Sequence, residues 1–210
     1  MVTKTPQLFG LVLAGGRSRR MGRDKSRINY YDKEQRVHCF ELLAPLCEKI
    51  FLSTRQSQRK LSSQKNFPQI HDRPEFSNIG PLGGILSAMK KHPEVAWLVL
   101  ACDLPFVDRT TLQSLIRQRN SRKVATAYAN PDNGLPEPLC AIYEPGSLPA
   151  LERFFKKNIS CPRKILINSD MKLLRLKNRK ALKNINTITE YNGLKRNSLR
   201  QNQIQPRRLS

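Results

Sequence analysis

Gly10–Ser26 reads GLVLAGGRSRRMGRDKS, and the reading of this stretch decides the fold. With the two residues before it, its start forms one apolar run, Leu8–Ala14, that stops at Gly15-Gly16. An apolar run without polar alternation reads as a strand covered on both faces, as in a parallel sheet. Adjacent glycines at its end remove the Cβ atoms that would keep backbone N–H groups from an oxygen-rich anion. Arg17, Arg19, Arg20, Arg23 and Lys25 then bring positive charge to the same turn. A triphosphate meets that demand, because it carries several negative charges and leaves a pyrophosphate that also needs stabilising. Two common phosphate motifs do not fit. The P-loop spacing fails because Arg23 and Asp24 separate Gly22 from Lys25, and the dinucleotide fingerprint fails because the glycines are adjacent.

The pattern around this stretch alternates strands with helices. Lys49–Thr54 reads as a second strand, Phe67–Asp72 as a short third, and Val95–Phe106 as the strongest strand in the chain. That last run breaks at Asp103, with Pro105 forbidding continuation. Between them, Arg36–Lys49 has helical spacing, with Val37, Phe40, Leu43 and Leu46 or Cys47 on one face and Pro45 shortening it. Ser77–Lys91 reads as a Gly-Pro loop running into a helix with a glycine-rich first turn. Asp108 is a good N-cap for the helix that follows. Lys123–Ala129 and Pro136–Tyr143 read as strands, the latter crossing the site. A helix over Ser147–Lys157, a short helix from Ser160, an edge strand at Met171–Lys177 and a capping box at Thr187 and Glu190 complete the pattern.

This order predicts a single three-layer α/β/α domain, Rossmann-like, with a mostly parallel sheet and helices on both faces. Ligands of such sheets sit at the carboxyl ends of the strands. Ala14–Gly16, Asp72 and Asp103 all fall at predicted strand ends. An aspartate at the end of a buried strand can hold Mg2+ against phosphates, which makes Asp103 the metal candidate.

Composition bounds the rest. The chain has 210 residues, 39% of them hydrophobic, enough for one sizeable core. The domain is predicted over 1–194, with 195–210 a basic, disordered tail. The five cysteines lie without C-x-x-C spacing, which excludes a disulfide framework and a zinc site. No run approaches a membrane span and the N-terminus lacks a secretory apolar stretch, so the expected location is cytoplasmic. The net charge is +22, of which +13 lies from Leu151 onward. Such charge attracts polyanions, but the basic residues there are not interleaved with aromatics, so no nucleic-acid surface is spelled out.

LAGGRSRRMGRDK, Leu13–Lys25, closely resembles the L-A-G-G-x-S-x-R-M-G-x-D-K signature of molybdenum cofactor guanylyltransferases. GPLGGILSAM, LACDLPF, PEPLCAIY and NINT resemble that family's later landmarks in the same order. The resemblance spans Phe9 to Tyr191 and implies the nucleotide-diphospho-sugar transferase type of fold. It implies transfer of GMP from Mg-GTP to the terminal phosphate of molybdenum-molybdopterin, with release of pyrophosphate. Leu13, Ala14 and Gly15, with Gly16 beside them, would contact the guanine nucleotide. Lys25 would bind its phosphates, and Arg19 resembles the family's loop arginine that stabilises them. Asp72 would contact the nucleotide, and Asp103 would bind it and carry magnesium. Ser53 stands where the family often has an asparagine that fixes the nucleotide. For the acceptor, Glu137, Pro138, Asn184 and Asn186 are candidates to line a cleft, with Arg163 and Lys164 to meet a phosphate. Further partners implied are proteins of cofactor biosynthesis or molybdoenzyme maturation.

The residues themselves are compatible with that reaction. Its nucleophile is a phosphate oxygen, anionic at neutral pH, so no protein base is required; His38, His71 and His92 lie in ordinary contexts. Two other readings stand beside it: a cytidylyltransferase acting on the same or a related phosphorylated acceptor, and a basic, non-catalytic nucleic-acid-binding or adaptor protein on this fold.

Overall fold

A computed structural model describes residues 5–14, 33–55 and 67–185. Strand β1 (Leu8–Leu13) lies at the middle of a seven-stranded sheet ordered β3-β2-β1-β4-β6-β5-β7. Its neighbours β2 (Lys49–Thr54) and β4 (Ala96–Ala101) both run parallel to it. β3 (Gln69–His71) extends the parallel half beyond β2. On the other side β6 (Pro136–Tyr143) runs antiparallel to both β4 and β5 (Ala125–Ala129). β7 (Lys172–Leu174) closes that half as an edge strand parallel to β5.

The lack of polar alternation in β1 has a direct cause. Leu8 and Val12 enter one core with Leu98 and Leu100, while Phe9 and Leu11 enter another with Trp97 and Val99. Helices α1 (Gln35–Leu43) and α3 (Arg109–Arg117) cover the first face through Cys39, Leu43, Leu112 and Leu115. Helices α2 (Pro81–Lys91), α4 (Ser147–Lys156) and α5 (Pro162–Ile167) cover the second through Leu82, Ile85, Met89, Leu151 and Ile165. Each fully buried aliphatic side chain contributes about 1.5–3 kcal/mol, so the central strands anchor both layers. The three-layer, mostly parallel architecture is the one expected.

Asp108 caps α3 as predicted, its Oδ1 accepting the Thr111 N–H at 2.7 Å. Three local expectations change. The buried face of α1 is Gln35, Arg36, Cys39 and Leu43, with Val37 and Phe40 only half-buried. Strand β4 ends at Ala101, and Leu104 and Val107 reach the core from the turn beyond it. Helix α5 begins at Pro162, not at Ser160, because proline suits a first helical position where no N–H bond is made. The five cysteines are free thiols. Among the described residues no helix is long and apolar enough to cross a membrane.

At the end of the sheet where β1 and β4 begin and β6 finishes, Arg119 forms a clamp. Its Nε and Nη2 donate to the two Glu144 carboxylate oxygens at 2.6 and 2.7 Å, and Nη1 donates to the Pro6 carbonyl at 3.0 Å. Glu144 is 1% exposed. The clamp fixes the chain entering β1 to the segment leaving β6, at the end of the sheet away from the site.

Candidate functional site

The parallel strands end in register. Leu13 lies level with Ser53 on one side and Ala101 on the other, and Thr54 lies level with His71. Backbone bonds carry the alignment one residue further. The Ala14 N–H donates to the Ser53 carbonyl at 3.2 Å, the Asp72 N–H to the Thr54 carbonyl at 3.0 Å, and the Cys102 N–H to the Leu13 carbonyl at 3.4 Å. Leu13, Ala14, Ser53, Asp72 and Asp103 are therefore gathered along one carboxyl-terminal edge, as the alternating pattern predicted.

Helix α2 covers this edge from the second face. Gly80, with φ +71°, turns the chain into Pro81, which starts the helix. A Cβ on Gly83 would lie 2.4 Å from the Phe76 carbonyl oxygen, and one on Gly84 would lie 2.3 Å from Ser53 Oγ. The glycine-rich turn thus brings the amino end of α2 onto the ends of β1 and β2. Ser53 is buried against that helix backbone, so its small side chain and Gly84 fit each other. The partial positive charge of a helix amino end faces the edge where the strands stop.

Asp72 is 9% exposed. Burial pushes its carboxyl up to about 6, and the Arg55 guanidinium pulls the other way. The sequence does not single out Arg55, which stands directly after β2. Thr54 Oγ1 lies 2.8 Å from His71 Nδ1, which ties the ends of β2 and β3 together.

The antiparallel half brings the later motifs to the same edge. Because β6 runs opposite to β4, its first residues lie beside the last residues of β4. Glu137 is 2% exposed. Its Oε1 accepts the Leu139 N–H at 3.2 Å and its Oε2 accepts Arg163 Nη2 at 2.9 Å. Burial raises the Glu137 carboxyl above the usual range, and the Asp103 charge adds to the rise; the Leu139 N–H and Arg163 oppose it. Arg163 Nε also donates to the Pro136 carbonyl, and the Tyr143 hydroxyl donates to the Pro138 carbonyl, both at 3.0 Å. Arg163 is thus bound to Glu137, whereas Lys164, next to it, is exposed.

The Ile185 N–H donates to the Asp103 carbonyl at 3.1 Å, which seats the Asn184 segment on the same turn. Asn184 Oδ1 is buried and has no hydrogen-bond partner among the described residues. Gly15, Gly16, Arg19, Lys25 and Asn186 lie outside the described residues, as do the Thr187–Glu190 capping box and the 195–210 tail.

Residues 10–172 match the family model described as the MobA-like NTP transferase domain. The chain is 42% identical over 190 residues to a molybdenum cofactor biosynthesis bifunctional protein of Synechocystis sp., covering 90% of this chain and 54% of that protein. It therefore spans about half the length of that relative. It is 32% identical over 161 residues to a molybdenum cofactor guanylyltransferase of Pseudomonas aeruginosa, covering 75% of this chain and 78% of that one. Among solved structures, molybdopterin-guanine dinucleotide biosynthesis protein A of Archaeoglobus fulgidus superposes with a TM-score of 0.76 at 23% identity, over 91% of this chain and 99% of that one. At that identity the likeness speaks for the fold alone: a mostly parallel α/β sheet of the nucleotide-diphospho-sugar transferase type.

Proposed function

The chain belongs to the MobA-like NTP transferase family, and on that premise we propose that it transfers GMP from Mg-GTP to the terminal phosphate of molybdenum-molybdopterin. The observation that carries the reading is the convergence of Ala14, Ser53, Asp72 and Asp103 on one edge, with Glu137 and Asn184 beside Asp103. The nucleotide lies over the parallel half, between the β1 turn and the amino end of α2. Asp72 and Ser53 contact it from the ends of β3 and β2. Lys25 and Arg19 take its phosphates.

Among the described residues no three His, Cys, Asp or Glu side chains group together to cage a metal by themselves. A single carboxylate at Asp103 fits Mg2+, which is commonly bound through one or two carboxylates together with substrate phosphates, so Asp103 would be the residue that holds it. When bound, Mg2+ neutralises charge on the phosphate oxygens. The Asp103 carboxylate holds the cation side of the nucleotide in place. The acceptor phosphate oxygen attacks the α-phosphorus of GTP; the new P–O bond forms as the bond to the bridging α–β oxygen breaks, and pyrophosphate takes that electron pair. No protein group needs to remove a proton from an acceptor that is already anionic. The work left to the chain is charge stabilisation and alignment, the larger part of catalysis in this chemistry. The buried Asn184 oxygen offers an acceptor to a pterin N–H, which suits the acceptor side of the edge.

The test is incubation with each nucleoside triphosphate, Mg2+ and molybdenum-molybdopterin, with product separated by chromatography. The expected result is a guanine dinucleotide product from GTP. Product from CTP and none from GTP would replace this reading with cytidylyl transfer, and no product from any triphosphate would overturn it.

A further inference from the structure

Glu137 is a buried acid whose ionised form is braced and which feels the charge of another acid, Asp103. The β4–β6 ladder runs from Trp97↔Tyr143 to Leu100↔Cys140, so the start of β6, where Glu137 lies, borders the turn after β4 that carries Asp103, close enough for the Asp103 charge to act on Glu137. Each Glu137 oxygen already accepts an N–H, one from the Leu139 backbone and one from Arg163. The carbonyls on either side are held as well, by Arg163 Nε and the Tyr143 hydroxyl. Two of the acid's roughly four lone-pair positions are thus taken by donors that hold it in place. With Glu137 buried and Arg163 a third exposed, the pair is also a poor way to gain stability, since apolar residues of similar volume serve as well or better. The Arg163–Glu137 pair is therefore read by what its charges do beside Asp103.

We propose that Glu137 is an electrostatic positioning residue whose fixed negative charge beside Asp103 strengthens cation binding there, with Arg163 as its brace. The inference rests on the reading that Asp103 holds the cation of a bound nucleotide. It makes a prediction about sign that packing does not. Glu137→Gln keeps the shape and the Leu139 contact but removes a negative charge and leaves the Arg163 positive charge unopposed near the cation. Replacing both partners removes both charges together.

The experiment is a Mn2+ titration followed by electron paramagnetic resonance, with the full chain saturated by α,β-methylene GTP, which cannot transfer its nucleotidyl group. Glu137→Gln is expected to weaken Mn2+ binding about tenfold, a Coulomb effect of one charge at a partly screened distance. The double variant Glu137→Gln with Arg163→Gln is expected to return to within about threefold of the parent. If the double variant is as weak as the single one, or the single variant binds like the parent, the inference is overturned. If Glu137→Gln does not fold, Arg163→Gln alone decides: equal or tighter Mn2+ binding supports the proposal, weaker binding overturns it. Asp103→Asn separates the two claims. Should it bind Mn2+ as tightly as the parent, or should the parent bind none, the reading of the site fails; should only the Glu137 effects be absent, this inference fails alone.

Discussion

Two arginine–glutamate pairs bracket β6, and they differ in what they leave open. At the far end, Arg119 grips both oxygens of Glu144 and spends a third N–H on the Pro6 carbonyl. The side chains are 10% and 1% exposed, and the contact closes on itself. At the carboxyl edge, Arg163 meets Glu137 through one oxygen, its side chain is 33% exposed, and Asp103 lies next to the acid. The same chemistry thus serves as a clamp where both carboxylate oxygens are gripped at once and as a field source where a second acid stands nearby. The difference separates a structural end of the sheet from a functional one.

The largest effect should come from breaking the clamp. Glu144→Ala leaves Arg119 buried without its partner, at a cost of about 3–5 kcal/mol. Thermal unfolding should show this as a large fall in Tm, with nucleotide affinity of the folded fraction unchanged. A loss of affinity in step with stability would blur the contrast between the two ends.

At the functional end the converse holds. Asp103→Asn should reduce the rate of nucleotidyl transfer by about 100-fold or more, the usual worth of a lost electrostatic stabiliser, while circular dichroism and Tm stay near the parent's. A rate within tenfold of the parent would remove Asp103 from the chemistry.

The α2 turn sharpens the comparison within the site. Gly83→Ala drives a Cβ against the Phe76 backbone carbonyl, which cannot rotate away, and should cost about 1–3 kcal/mol in urea unfolding. Gly84→Ala meets the Ser53 hydroxyl, which can turn, and should cost less stability while weakening GTP binding. Equal stability losses at the two positions would contradict the assigned contacts.

The smallest effect is the pH dependence set by Asp72. Burial raises its carboxyl from 3.8 to about 6, so the folded chain keeps a proton that the unfolded chain has lost. The folded state binds more protons across this window, and stability from this group declines as pH rises from about 4 to about 6. Asp72→Asn should flatten that part of the profile in denaturant titrations. An unaltered slope would place the titration elsewhere.

Much of this was legible in the chain because glycine, proline and aspartate punctuate it. Lys49–Thr54 and Pro136–Tyr143 form strands over the expected residues, and Asp72 and Asp103 stand at strand ends as read. Direction was not legible: β6 is buried on both faces like the parallel strands, so its composition does not reveal that it runs the other way. The buried face of α1 was misread for a related reason. Periodicity finds apolar stripes, and Gln35 and Arg36 are buried polar residues that no stripe announces. The pairing of Arg163 with Glu137 joins residues 26 positions apart, which only the folded sheet brings together. Sequence reading names both as acceptor candidates but does not show that they bind each other.

The central claim is that a nucleoside triphosphate lies along the carboxyl edge of β1–β4 with its cation at Asp103. A crystal structure with α,β-methylene GTP and Mn2+, phased to locate manganese by its anomalous signal, tests it most directly. The account predicts a manganese peak at coordination distance from the Asp103 carboxylate, with guanosine near Asp72 and Ser53. Manganese bound away from Asp103, or the nucleotide seated elsewhere on the chain, would contradict it.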